Sequence, residues 1–314
     1  MTCGTKISRP EVPKLWALFS KRELLKMAKS ARSCLLSLFA LAVAMSMALS
    51  SAYAGTAVLV GANVPEQQRI PADQIDHSAW DALLRKYVDN RGMVNYAGWK
   101  ATKADMQALD NYLTRLSAAS FSRQTSAGVK LAFWINAYNA VTIKGILREY
   151  PTTSIRNHTA KVFGYNIWKD LQLQVEGRQY SLDHIEHEIL RKMGEPRIHF
   201  AIVCASIGCP RLLNEAYVPD RIDQQLTAGA RVFFDDPSKF RYDQQRGSIA
   251  VSAILDWFGA DFGRTRAEQV RRIAPYLPEP AAQRLAESGN AQVSYLDYDW
   301  GLNDQAKVGR ASTR

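Results

Sequence analysis

The hydrophobic positions of this chain are spaced for helices over most of its length, and only a few short runs alternate as strands do. Between Asp76 and Asp89, Trp80, Leu83, Leu84, Tyr87 and Val88 recur three and four residues apart. A turn of 3.6 residues puts them on one face, which predicts an amphipathic helix closed by the turn Asn90-Arg91-Gly92. Met106, Leu109, Leu113 and Leu116 mark a second such helix over about 103–116. A third, over 126–150, is apolar in almost every direction and must be central. Asn136 and Asn139 project onto the same face of it as Val129, Ala132, Ile143 and Leu147. A buried amide without a partner costs on the order of 1–3 kcal/mol. Both must therefore be hydrogen-bonded, either to the backbone of a neighbouring loop or to a substrate. Trp134 and Tyr138, four apart on another face, read as core.

Leu171, Leu173 and Val175 alternate, Glu176-Gly177 turns, and a short return strand completes a hairpin. Ser181 then caps a helix running to about Lys192, with Asp183 in the first turn, where the helix dipole favours an acid. Its apolar stripe of Leu182, Ile185, Ile189, Leu190 and Met193 has Glu186 in the middle, so that carboxylate is expected to pair with a cation or histidine or to keep a raised pKa. His187 projects near Arg191 on the polar flank, a rim position, and His184 projects outward. Further on, a helix over about 219–234, a hairpin at Arg246-Gly247, a helix capped by Ser252, two helices flanking Pro278 and Pro280 and a last strand within Val293–Trp300 are predicted. Helices outnumber strands. The fold class is α+β, a helix-rich single domain around a small mixed or antiparallel sheet.

The N-terminus changes the meaning of the composition. Lys29 and Arg32 precede an apolar stretch from Cys34 to Ser50 that ends in Ala52-Tyr53-Ala54. Basic, apolar and small residues in that order describe a secretory signal peptide over residues 1–54, with cleavage before Gly55 and a start codon that Met27 would also serve. A flexible lead over 55–75 with Pro65 and Pro71, a domain over 76–302 and a C-terminal tail over 303–314 complete the expected organisation. The expected location is the periplasm or the outside of the cell, with no stable membrane insertion once the signal is removed. Eight of the 40 basic and two of the 30 acidic residues precede Gly55, leaving 32 against 28, a net charge of about +4. Much of the basicity is thus targeting, and pairs such as Arg271-Arg272 are scattered on helix faces. No nucleic-acid partner is expected. Two of the four cysteines also leave with the signal, so Cys204 and Cys209 stand alone in an oxidising compartment.

Those two thiols end the segment with the densest chemistry, Arg197-Ile-His199-Phe-Ala-Ile-Val-Cys204-Ala-Ser206-Ile-Gly-Cys209-Pro210. A run apolar on both faces predicts a buried strand with His199 pointing inward beside Phe200 and Val203. A turn and a helix N-terminus at Pro210 are expected to follow, and that helix would lower the pKa of Cys209.

Five ordered segments resemble the domain-of-unknown-function family 547: Leu131-Ala-Phe-Trp-Ile-Asn136-Ala-Tyr-Asn139-Ala, Ser181 to Arg191, Arg197 to Pro210, Trp257-Phe-Gly-Ala-Asp-Phe-Gly263, and Tyr298-Asp-Trp300. They extend from about residue 76 to 302. Phe258 stands where the resemblance leads one to expect Tyr. Plant members look as if they carry Ser in place of Cys209, which implies that a Cys204–Cys209 bond is not required across the family. The resemblance implies a site and no reaction.

Three readings stay open. In a thiol-dependent hydrolase or acyl transferase, Cys204 or Cys209 is the nucleophile, His199 the base with His187 in reserve, Glu186 the orienting group, and Asn136 or Asn139 an amide donor to an oxyanion. In a non-catalytic secreted binding or scaffold domain, Cys204 and Cys209 form a disulfide and the other groups a satisfied buried network. A zinc site would use both cysteines with His184, His187 or His199, but His184 and His187 are three apart rather than four and no second Cys pair exists. No cofactor and no metal are expected. The partner is an unknown small molecule, peptide or envelope component.

Overall fold

A computed structural model describes residues 57–160 and 164–307. The predicted signal segment over 1–54 lies outside the described residues, as does the last part of the predicted tail. The architecture is α+β, with three small sheets set among helices rather than one. Among the described residues no helix is long and apolar enough to cross a membrane.

Within the lead expected over 55–75, residues 58–75 carry two short strands and three buried side chains. β1 (Val58–Val60) pairs in parallel with β4 (Leu171–Val175), Val58 opposite Leu171, and β2 (Ile70–Pro71) pairs with β3 (Ala119–Ser120). Apolar side chains hold this segment down: Val60, Ala72 and Ile75 are buried in the main core. β5 (Arg178–Ser181) takes the other edge of β4 in the predicted hairpin, and Leu171, Leu173 and Val175 all point inward.

α1 (Ser78–Tyr87), α2 (Tyr96–Ala101) and α3 (Lys103–Ser117) pack through aromatic rings, Trp80 on Tyr112 at 5.7 Å between centroids and Tyr87 on Trp99 at 4.7 Å. α4 (Ala127–Glu149) is the central helix that its all-round hydrophobicity predicts. The Ser126 hydroxyl accepts from the Val129 N–H at its start, and nearly every side chain from Leu131 to Leu147 is buried. A second, smaller core gathers α7 (Ile222–Asp235), the sheet β6–β7–β8 (Phe240–Asp243, Ser248–Ser252, Gln292–Leu296), α10 (Arg266–Ile273) and α11 (Pro280–Ser288) around Phe233, Phe234, Ile249, Val251 and Val270.

The segment 196–210 runs along the seam between these cores: Phe200 belongs to the second, while Ile198 and Ala201–Val203 belong to the first. It is not the predicted strand. Residues Pro196–Phe200 form a 3-10 turn, started by Pro at its first position and by Glu195, whose carboxylate accepts from the Arg197 N–H. Residues 201–218 follow without a helix, so no helix begins at Pro210 and none bears on Cys209. The apolar run is buried, as expected, but its backbone is satisfied by a side chain instead of a neighbouring strand. The Asn139 amide donates to the Ala201 carbonyl at 3.0 Å and accepts from the Val203 N–H at 2.9 Å. Ala205 then turns the chain with φ of 58°, and the pairing beyond it is limited to a single antiparallel bridge between Ser206 and Leu302.

At the other end the fold continues past the expected boundary at 302. Asn303 and Asp304 are buried, and accept from the Tyr96 and Tyr150 hydroxyls at 2.8 and 2.9 Å. Residues 303–307 are therefore tied into the main core rather than forming a tail.

Candidate functional site

A cavity of about 190 Å³ opens at the seam. The first core supplies Tyr138 from α4, Trp168 from α5 (Ile167–Asp170), and Ile202, Cys204 and Cys209. The second supplies Ile254 from α8 (Ile254–Trp257) and Phe258. Asp183, Glu186, His187 and His199 also line it. Thus Cys204, Cys209, His199, Glu186 and His187, drawn from separate elements, border one space.

Glu186 and His187 owe their places to a local change of helix type. The helix capped by Ser181 starts as α6 (Leu182–His184), widens to a π-turn over Ile185–Leu190 and closes as a 3-10 turn over Arg191–Met193. The Arg191 N–H reaches the Glu186 carbonyl five residues back. Such turns recur at functional sites because the extra residue re-aims side chains without ending the helix. Glu186 is half-buried. Its partner is neither the cation nor the histidine expected for it, but the Tyr138 hydroxyl, which donates to Oε2 at 3.1 Å. Burial first, and then Glu186 itself, push the Tyr138 hydroxyl well above its ordinary pKa, so it remains a donor.

His199 is buried and has a partner that the sequence reasoning did not name. Its Nε2 lies 2.7 Å from Asp261 Oδ2, on α9 (Gly259–Phe262). Arg191 grips the same carboxylate with two bonds, Nε to Oδ2 at 2.6 Å and Nη2 to Oδ1 at 2.8 Å. Partial burial works to raise the Asp261 carboxyl, but the bonds from His199 and Arg191 outweigh it and hold it far below the usual carboxylate range. Asp261 is therefore an acceptor, Nε2 of His199 carries a proton, and the lone pair of the neutral ring sits on Nδ1. Phe258 stacks on the imidazole at 4.3 Å and fixes its plane. Arg191 also donates from Nη1 to His187 Nδ1 at 3.0 Å, so one Arg–Asp pair positions both imidazoles of the cleft.

Cys204 and Cys209 face each other within disulfide range, with Cα atoms 6.3 Å apart. Cys204 is half-buried and Cys209 is 5% exposed. The Tyr298 hydroxyl lies 3.1 Å from each sulfur, and the Cys204 N–H donates to Cys209 Sγ at 2.9 Å. Burial raises the Tyr298 hydroxyl above its ordinary pKa, so it too serves as a donor. Tyr298 packs with Trp257 and Trp300 at centroid distances of 4.9 and 4.5 Å to form an aromatic wall, and Trp257 is 47% exposed at its lip.

Asn136 and Asn139 do not join this group. Asn136 donates to the Tyr217 carbonyl at 2.8 Å and accepts from the Tyr217 N–H at 3.0 Å. Asn139 holds Ala201 and Val203 as described above. Both amides brace the backbone beneath the cleft, the first of the two roles open to them, and neither borders the cavity. His184 is exposed and packs edge-on against Tyr180. Among the described residues no three His, Cys, Asp or Glu side chains are grouped to hold a metal ion.

Sequence reasoning missed Asp261, Tyr298 and the role of Arg191. The available signal was an acid inside the aromatic, glycine-flanked run Trp257 to Gly263, which has no helical stripe that would place it on a solvated face. Asp261 and Tyr298 lie far along the chain from the cysteines, and no spacing rule connects them.

No curated protein and no solved structure matches the chain. Residues 122–234, which carry α4, the π-turn, His199 and both cysteines, match the family model described as "Protein of unknown function, DUF547", and this supports the resemblance read from the motifs over that segment.

Proposed function

We propose that the protein is an exported thiol-dependent acyl hydrolase or acyl transferase, with Cys204 as nucleophile, His199 as base and Asp261 as the group that orients the base. The observation that carries this reading is the meeting of both sulfurs, a carboxylate-bound imidazole and Glu186 on one aromatic-walled cavity. In the reduced protein, His199 Nδ1 takes the Cys204 proton and the thiolate attacks an acyl carbonyl. The imidazolium, stabilised by Asp261, returns the proton to the leaving group as a thioester forms. Water or an acceptor nucleophile then gives its proton to His199 and its oxygen or nitrogen to the acyl group, releasing Cys204. The Tyr298 hydroxyl, 3.1 Å from Cys204 Sγ, is our candidate donor to the charge that develops on the attacked carbonyl. Glu186 is placed to accept a hydrogen bond from the substrate.

The second reading, a secreted binding domain with a permanent cross-link, is favoured by the contact between the two sulfurs. The test uses reduced full-length protein and a panel of p-nitrophenyl esters and thioesters, with intact-mass detection of an acyl adduct. An adduct that peptide mapping places on Cys204 is expected in wild type and Cys209→Ser, with no adduct in that peptide of Cys204→Ser. No adduct on Cys209→Ser with any ester of the panel would leave the binding domain as the better account.

A further inference from the structure

We propose that Cys204 and Cys209 form a reversible dithiol–disulfide centre, and that reduction by a small dithiol entering the cleft switches the acyl site on. The inference rests on the thiol reading above for what the released Cys204 does, but not for the exchange itself.

Two independent observations carry it. The first is that the loop keeps its shape by bonds other than the cross-link. The Asn303 N–H donates to the Ala205 carbonyl at 3.0 Å, Ile207 N–H to Gly301 at 2.8 Å, Gly208 N–H to Asp299 at 2.7 Å and Cys209 N–H to Ser206 at 3.1 Å. From the second core, the buried Lys239 ammonium donates to the Ile207 carbonyl at 2.8 Å. Upstream, Asn139 holds Val203. Opening the bond thus leaves both sulfurs facing each other, able to close again, and leaves Cys204 on the wall of the cavity that His199 also lines.

The second observation is the difference between the two sulfurs. Cys204 is the more exposed and is the one an incoming thiolate reaches, whereas Cys209 is nearly closed off. A thiolate leaving on Cys209 is received by two donors, the Cys204 N–H at 2.9 Å and the Tyr298 hydroxyl at 3.1 Å. Donors to the leaving sulfur stabilise its anion and speed exchange.

The steps balance with a dithiol as reductant. One thiolate of the dithiol attacks Cys204 Sγ, the Cys204–Cys209 bond breaks, and its electron pair passes to Cys209. The second thiolate attacks the sulfur of its own molecule in the mixed disulfide, closing the reductant's disulfide and releasing Cys204. Two electrons pass from the dithiol to the protein, and the two protons it sheds are matched by those that Cys204 and Cys209 can take up.

The probe is dithiothreitol, applied to the native full chain without denaturant, followed by timed alkylation with iodoacetamide, peptide mapping and near-ultraviolet circular dichroism. Before reduction neither Cys204 nor Cys209 should be alkylated. Afterwards both should be, Cys204 first, with the aromatic signal of Trp257, Tyr298 and Trp300 retained. Cys209→Ser should be alkylated at Cys204 with no reductant, and should form a stable mixed disulfide when offered oxidised 2-mercaptoethanol, a linear disulfide whose departing half carries away the second thiol. Thiols that emerge only in denaturant, alkylation of Cys209 before Cys204, or collapse of the aromatic signal on reduction would overturn the proposal. Ester turnover separates the two ideas. If the bond opens and closes as described but neither reduced wild type nor Cys209→Ser is acylated, the acyl reading fails and the exchange centre stands. If Cys209→Ser is acylated and the wild-type bond stays closed to dithiothreitol, the reverse holds.

Discussion

Two of the imidazoles in this protein, one half-buried and one buried, have surroundings that give them different work. His77, just ahead of α1 among the aromatic rings of the N-terminal helices, shares a hydrogen bond of 2.7 Å between Nδ1 and the Tyr112 hydroxyl. Burial lowers its pKa to about 4, against the opposing pull of Asp76. It is a neutral packing element at physiological pH. His199, at the seam, meets an ionised carboxylate that is itself clamped by Arg191. That arrangement orients the ring and supports it when it takes a proton. Burial by itself therefore says little about function. The chemistry of the partner atom decides it.

Three perturbations act on this contrast, and the largest concerns Asp261. Asp261→Asn removes the charge that fixes the His199 tautomer, and should lower thiol-ester turnover by about 10²–10⁴-fold, read from kcat/KM of the reduced protein. An unchanged rate would mean that Asp261 is only a structural partner of Arg191. The next concerns His77 and pH. Its folded value lies below its ordinary 6.5, so above about pH 6.5 it is neutral in both states and has no effect. As pH falls toward 4 the unfolded chain gains a proton that the folded chain refuses, and stability drops by on the order of 3 kcal/mol. Below about 4 the loss is complete. Urea unfolding across this range should show the slope in wild type and a flatter curve in His77→Gln. Equal slopes would remove His77 from the account. The smallest is Tyr112→Phe, which deprives His77 of its partner. It should cost about 1–2 kcal/mol with no change in Cys204 alkylation rate. A change in that rate would show that the two regions are coupled.

The same contrast explains how far the sequence could be read. Continuous hydrophobicity from Leu131 to Leu147 forces a central helix whatever surrounds it, and alternation at Leu171, Leu173 and Val175 forces a strand, so these elements and the α+β class were legible. The burial of Asn136 and Asn139 was legible as well, because helical projection needs no tertiary information. Their targets were not, since Tyr217, Ala201 and Val203 come from remote or irregular backbone. His199 was expected inside for an imperfect reason. The apolar run implied burial and hence a strand, but Asn139 supplies the hydrogen bonds that a strand would have drawn from its neighbour. The π-turn leaves no mark in the sequence because the pattern on either side of it is still helical. Asp261 is separated from His199 by 62 positions, and only folding reveals that they meet.

The cleft lies where two hydrophobic cores abut, and each contributes part of its lining. A molecule lodged there touches both halves at once and opposes their coming apart. Occupancy should thus register as a raised melting temperature that grows with ligand concentration, whatever reaction follows. Candidate substrates can accordingly be sorted by heating alone, before any product is known.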